Sequence, residues 1–395
     1  MSIHNHEFPE VPRVMTIDVD TPPYVVPEAV KRKRRWVNDY LETLDPDTEY
    51  DRIMAVQAMY QQDEHALHMF ITSSAVHVLM PAHGAEAVLY TNHYIRRPNR
   101  RNQNTLAFFW QWFSHGPNHP DSVEATKQLN HIHGRVAKHL PGHFDLDSDY
   151  IFTLALFTVI QNRLRKKLGL AEVPDYIKKA TYNFFRDVCT NMRKGDGSEI
   201  EGYPDSFEGC EAYVEDWERW EHRMSVPQRD LILAFMDQYV AKNFPGPLEF
   251  IGRSVMLYTI PDHILEHYRI EPLRGPPRRF ARALLKTLFL YKDRFAADAK
   301  TPFIERRQAL SKEELEKLDA KSKARADKAG WTRGGREALY VTEGGHSISA
   351  CPVMHGRGIL EPTIPEDVLA EQPKVTENGR VEYGEYENND EFAPQ

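Results

Sequence analysis

Three cysteines in 395 residues, Cys189, Cys210 and Cys351, are too few and too irregularly spaced for a disulfide framework or a structural zinc site. A reducing, cytoplasmic setting is the expectation that follows. Long apolar runs are also missing. The most apolar stretch, Ile151 to Ile160, stops at Gln161, Asn162 and Arg163, short of the ~20 residues that span a bilayer. It reads as a buried core helix, and no membrane association is expected. Met1 to Pro12 is polar and carries no signal-peptide core. Positive charge is not in excess: 50 Lys and Arg stand against 58 Asp and Glu, a net charge of −8. That argues against nucleic-acid binding. The one basic run, Lys31 to Arg35 (KRKRR), reads as a solvated helix face. Walker, G-x-S-x-G and dinucleotide fingerprints are absent.

What is present is helical periodicity. Apolar residues recur every three or four positions between Pro46 and Leu290, and strict strand alternation is scarce. Turn signals at Pro98, Gly116-Pro117, Gly195 to Gly197 and Gly275 to Pro277 cut the pattern into helices. An all-α bundle is the natural class. Residues 1–45 read as an arm and a first helix from Pro27 through Trp36 and Tyr40 to Leu44. Residues 46–300 form the main helical body, and 301–333 a charged surface helix opened by the capping box Ser311-Lys312-Glu313-Glu314. Residues 334–395 form a Gly-rich, then acidic tail, expected to be partly disordered.

Eighteen histidines is a high count, and many of them cluster between His65 and His143. In Asp121 to Leu140, with Asp121 or Ser122 as the cap, the apolar stripe runs Ala125, Leu129, Val136, Leu140. His133 falls on that stripe, whereas His131 points roughly 200° away. A core-facing histidine needs a partner for each ring nitrogen. Two readings stand: a hydrogen-bonded core histidine, or an axial ligand to a haem iron. Gly134 beside it would admit a macrocycle or another backbone. Upstream, Arg100, Arg101 and Thr105 lead into a helix carrying Phe108, Phe109, Trp110, Trp112 and Phe113. Guanidinium groups suit haem carboxylates and aromatics its ring, but solvated arginines and plain core aromatics give the same pattern.

Arg101-x-x-x-Thr105, followed 28 residues later by His133 in Ile-His-Gly-Arg-Val-Ala, resembles the catalytic domain shared by rubber oxygenase (latex-clearing protein) and the MpaB-type oxygenases. The likeness continues through Asp149 to Val159, through Tyr203-Pro-Asp-Ser-Phe-Glu with Trp217-Glu218, and through Phe250-Ile-Gly-Arg253 to Arg278 and Arg279. It covers roughly residues 50 to 300.

The resemblance implies one large globin-like bundle with a haem-sized pocket, holding haem b with His133 as the iron ligand. Arg101 and Thr105 would be the distal polar pair. Asn104 stands where a rubber oxygenase carries a lysine, which implies an open or water-bound distal position. Glu86, fifteen positions before Arg101, would be a general base or a carboxylate ordering that arginine, unless it is a surface glutamate. The implied reaction is oxidative cleavage of a C=C bond in an apolar, isoprenoid-like or lipid-like small molecule by dioxygen. A haem-binding or sensing protein without turnover, and a non-catalytic helical interaction protein, are the alternatives. Two metal-like spacings, His83-Gly-Ala-Glu86 and His263-x-x-x-His267, and the tail motif Cys351-Pro-Val-Met-His355, read as ordinary surface features.

Overall fold

The computed structural model describes residues 22–329 except 92, 141, 221, 223, 225, 308 and 309, together with 374–375 and 381–382. The tail, including Cys351, otherwise lies outside the described residues. In chain order the helices are α1 (Val37–Leu41), α2 (Tyr50–Gln61), α3 (Glu64–Val78), α4 (Ala82–Thr91), α5 (His93–Arg96), α6 (Pro98–His115), α7 (Pro120–His139) and α8 (Asp147–Leu168). They continue as α9 (Asp175–Asn191), α10 (Phe207–Glu218), α11 (Val226–Asn243), α12 (Glu249–Thr259), α13 (Asp262–His267), α14 (Gly275–Arg294), α15 (Phe303–Arg306) and α16 (Lys312–Ala329). The fold is all-α; a two-residue antiparallel pair, Lys374–Val375 with Val381–Glu382, is the only strand pairing among the described residues.

The longest of these helices, α8, is the organising rod. Its apolar middle, Ile151 to Val159, is almost wholly buried, because α3, α9 and α10 pack on different sides of it. A helix apolar around much of its circumference can be satisfied only in such a position. It ends where Gly169 takes the left-handed conformation (φ 66°) and Leu170 N–H donates back to the Arg165 carbonyl at 3.0 Å, a glycine-terminated C-cap. Arg165, Lys166 and Lys167 in its last turn match the negative end of the helix dipole. On the α10 side, the Ser206 hydroxyl caps that helix by accepting from Gly209 N–H at 3.0 Å.

The first helix is broken where the sequence predicts continuity: a 3₁₀ turn at Val30–Arg32 is followed by an extended Lys33 (ψ 152°) before α1 begins. The reason lies about 260 residues further along the chain. Arg34 and Arg35 donate to the terminal carbonyls of α14, Phe295, Arg294 and Asp293, and a straight helix would carry them away. Trp36, 1% exposed, donates its indole N–H to Ala299 O at 3.0 Å. The capping box of α16 forms as written, with Glu314 accepting from Ser311 and Ser311 Oγ from Glu314 N–H. That helix lies against α6 and α11, held by Asp319 on Asn99 and by Arg325 between Asp237 and Glu249.

One core carboxyl is out of place. Asp51 on α2 is buried, and its Oδ1 has no hydrogen-bond partner. Gly116 (φ 83°) leaves room for it, since a Cβ there would sit 2.6 Å from Asp51 Cγ. Burial, then the nearby Asp187 charge, pushes the Asp51 pKa up to about 8. A carboxyl with a raised folded pKa favours the fold while protonated, so stability falls as pH rises from about 4 to about 8. Asp51→Asn removes that loss. Near pH 7 it should raise the melting temperature by a few degrees, from a gain of at most about 4 kcal/mol. Scanning calorimetry should find the difference gone by pH 4; an equal difference at both pH values contradicts the assignment.

Candidate functional site

Helices α6 and α7 are joined by only the four residues 116–119, so they lie side by side. Each opens on a proline at its first turn, Pro98 and Pro120, where a missing N–H costs nothing. The cap of α7 is His119, whose Nδ1 accepts from Asp121 N–H at 3.2 Å, rather than Asp121 or Ser122. Ser122 instead donates to Gln111 O across the pair at 3.2 Å.

Their facing sides do not close on each other. Between them, and walled further by α4 and α8, lies a cavity of about 1250 Å3. That is generous against the roughly 300–1,000 Å3 of small-ligand sites. From α6 come Arg101, Asn104, Thr105 and Phe108; from α7 come Gln128, Leu129, Ile132, His133 and Val136; from α8 come Asp149, Tyr150 and Phe157. This explains why the apolar stripe of α7 is only half-buried at Ala125 and Leu129. The stripe faces an opening, not packed side chains. Arg97, Arg100 and Arg135 bring further guanidinium groups to the wall.

His133 lines this cavity. By surface area it is half-buried, because the cavity reaches it. Electrostatically it is interior: burial, then the Arg101 charge, lowers its pKa to about 4. It is therefore a neutral imidazole at physiological pH. Its Nδ1 is buried without a hydrogen-bond partner. Other histidines behave differently. His68 is satisfied at both nitrogens, by Gln238 and Asn243 at 2.9 Å each. His143 is satisfied by Leu140 O at 3.0 Å and Glu86 at 2.8 Å. An unpaired buried polar atom costs about 1–3 kcal/mol, so the arrangement at His133 calls for something from outside the chain.

The ring is nonetheless held in place. Phe144 stacks on it at 4.4 Å between centroids and 10° between planes, and Tyr150 meets it edge-on at 5.9 Å. Phe144 itself adopts φ 61°, a strained conformation for a side chain of that size. Gly195 N–H at 2.7 Å and the Tyr150 hydroxyl at 3.3 Å both donate to its carbonyl and pin the strained residue. Gly134 serves backbone packing: a Cβ there would lie 3.2 Å from Gly195 O.

The other residues marked by the sequence fall as follows. Arg101 donates to the Thr105 hydroxyl, which donates in turn to Arg101 O at 3.1 Å, so the pair is a fixed polar unit on the cavity wall. Asn104 stands between them on the same wall. Glu86 is not in the wall; its carboxylate receives His143 Nε2, and His143 is. His83, one turn before Glu86, carries its own carboxylate, donating Nε2–H to Asp149 at 2.8 Å. Burial opposes protonation of His83, but the Asp149 hydrogen bond and charge, with Glu86, leave its pKa raised. The two imidazoles meet edge-to-face at 6.1 Å. Sequence reasoning missed His143, Asp149 and Phe144, and it set His83 aside as a surface histidine, whereas that ring is largely buried on Asp149. Their only signal was the His83/Glu86 spacing, read as a metal-like pattern. Among the described residues no group of three or more His, Cys, Asp or Glu is placed to hold a bare metal ion.

A family model described as "ER-bound oxygenase mpaB/B'/Rubber oxygenase, catalytic domain" matches residues 60–288, a stretch that includes α3 to α13 and all the cavity residues named above. No curated protein matches the chain.

The lowered basicity of His133 can be read directly. In an NMR titration its ring should protonate near pH 4, and Arg101→Gln should move that value upward. Titration near the ordinary 6.5, unmoved by the substitution, contradicts the described environment.

Proposed function

The chain belongs to the family of mpaB-type and rubber oxygenase catalytic domains, and on that premise we propose that it is a haem b-dependent oxygenase that cleaves a C=C bond in an apolar, isoprenoid-like or lipid-like substrate. The observation that carries this reading is His133: a neutral imidazole, its Nδ1 buried without a partner, lining a large aromatic-walled cavity. Neutral imidazole is the form that ligates iron. The residues fit the group in other respects too. Phe108, Phe144, Tyr150 and Phe157 offer flat apolar contact to a porphyrin, and the wall arginines offer partners for its two carboxylates. When bound, haem supplies the redox-active iron that dioxygen chemistry requires.

The chain's own residues then have distinct tasks. His133 holds the cofactor. Phe144 and Tyr150 fix the orientation of that ring. Arg101, anchored by Thr105, presents a preorganised donor where negative charge develops on oxygen. Asn104 adds a neutral amide, which is a poor iron ligand and leaves that side of the site accessible to dioxygen and substrate. Glu86 acts through His143, holding its ring in the wall by the 2.8 Å contact. The apolar lining binds the hydrocarbon and excludes water. The overall change balances without an outside reductant: one C=C bond breaks, two C=O bonds form, and each carbon takes one atom of dioxygen.

Oxygen uptake with an unsaturated isoprenoid, followed by mass spectrometry of products from isotopically labelled dioxygen, tests the reading. Both new carbonyl oxygens should carry label, and His133→Ala should abolish uptake. Arg101→Gln should lower kcat about 10²–10³-fold, the usual loss of one oxyanion donor, and Thr105→Val should cost less because it only frees the guanidinium. Turnover unchanged in His133→Ala overturns the proposal.

A further inference from the structure

Helix α14 lies outside the oxygenase site, and its outward face is not what a solvated helix presents. On the inside, Ala281 and Leu285 are buried against Leu168, Val255 and Tyr258. On the outside, Phe280, Leu288, Tyr291 and, at the C-cap, Phe295 form a stripe with Leu284, half-buried against the inner cluster, between the first two; the five follow one another at steps of four, four, three and four residues. At ~100° per residue those steps keep all five within an arc of about 80°. Phe280 is 48% exposed, Leu288 50%, Tyr291 56% and Phe295 60%. Single exposed apolar residues are ordinary, but a continuous stripe of large ones is not.

Charge flanks the stripe. The helix carries six basic residues and one acidic one, Asp293, in a chain whose net charge is −8. Lys292 and Arg294, each about 40° beyond one edge of the stripe, are exposed. The basic run Lys31 to Arg35, which the oxygenase reading does not use, joins them in space. Arg34 donates to Phe295 O at 2.7 Å and Arg35 to Arg294 O at 3.2 Å, which sets the run at the C-terminal end of the stripe. Arg32 and Lys33 beside them are exposed. Two segments about 260 residues apart thus build one surface, apolar along its middle and cationic at its edges.

We propose that this surface docks on an anionic lipid bilayer, with the α14 stripe seated among the acyl chains and Arg32, Lys33, Lys292 and Arg294 on the headgroups. That pattern is the one by which helices lie in an interface rather than cross it. It is also compatible with the finding that no helix among the described residues is long and apolar enough to span a membrane. The expectation of no membrane association drawn from the sequence considered only a span. The inference rests on α14 and the basic run alone, so it stands or falls separately from haem binding.

Co-sedimentation of the full chain with vesicles of phosphatidylcholine alone, and of phosphatidylcholine mixed with phosphatidylserine, tests it. The anionic vesicles should bind at least about tenfold more protein, and rising salt should weaken the binding. Leu288→Glu and the pair Arg32→Glu/Lys292→Glu should each abolish it. These are exposed positions, so circular dichroism and melting temperature should stay unchanged, separating lost docking from lost folding. No binding to either vesicle, equal binding to both, or binding that survives Leu288→Glu overturns the proposal. A concentration-dependent dimer in light scattering that Leu288→Glu dissolves assigns the face to a second copy and overturns it as well.

Discussion

An imidazole that the protein holds but does not satisfy is the constraint on which the site depends. Most buried polar groups find partners within the chain, and His68 and His143 do so at both nitrogens. His133 does not, although Phe144 is kept in a strained backbone conformation to stack on it. The strain, about 1–3 kcal/mol for such a residue, and the unpaired nitrogen are both unfavourable to the isolated fold. Two such costs at one ring, beside a large cavity, mark a position shaped by a ligand more than by stability.

Much of this was legible in the sequence, and the residues show why. Helical period and turn residues place α6, α7 and α8, because those helices are long and their apolar faces follow a 3.6-residue repeat. The same repeat singles out His133 from His131, and the four-residue step joins Arg101 to Thr105. What periodicity could not give was whether the stripe on α7 meets packed side chains or an opening. That depends on how far α6 and α7 splay, which no local pattern encodes. The partner of Glu86 was hidden for a similar reason: His143 lies in a turn, and its contact crosses 57 residues. The left-handed Phe144 has no sequence signal at all, since a bulky residue is the least expected occupant of that conformation.

The basic run teaches a related lesson. Lys31 to Arg35 reads locally as a charged helix face, yet the run is unwound to reach the C-terminal carbonyls of α14. Tertiary contacts override local propensity where two distant segments need each other. The result is a molecule with two apolar openings of different kinds. One is the interior cavity between α6 and α7, walled by aromatics and arginines. The other is the exposed stripe of α14, edged by arginines and lysines. Both pair hydrocarbon contact with cationic groups, a combination suited to amphipathic matter at an interface.

The most direct measurement of the central claim is a titration of the metal-free chain with haemin, followed by visible absorption. The account requires saturation at one haem per chain with a sharp Soret band. In His133→Gly that band should be lost and then regained when free imidazole is added to replace the missing ring. A variant that takes up the same stoichiometric haem with an unaltered spectrum would show that the iron is held elsewhere, or that the cavity serves another ligand.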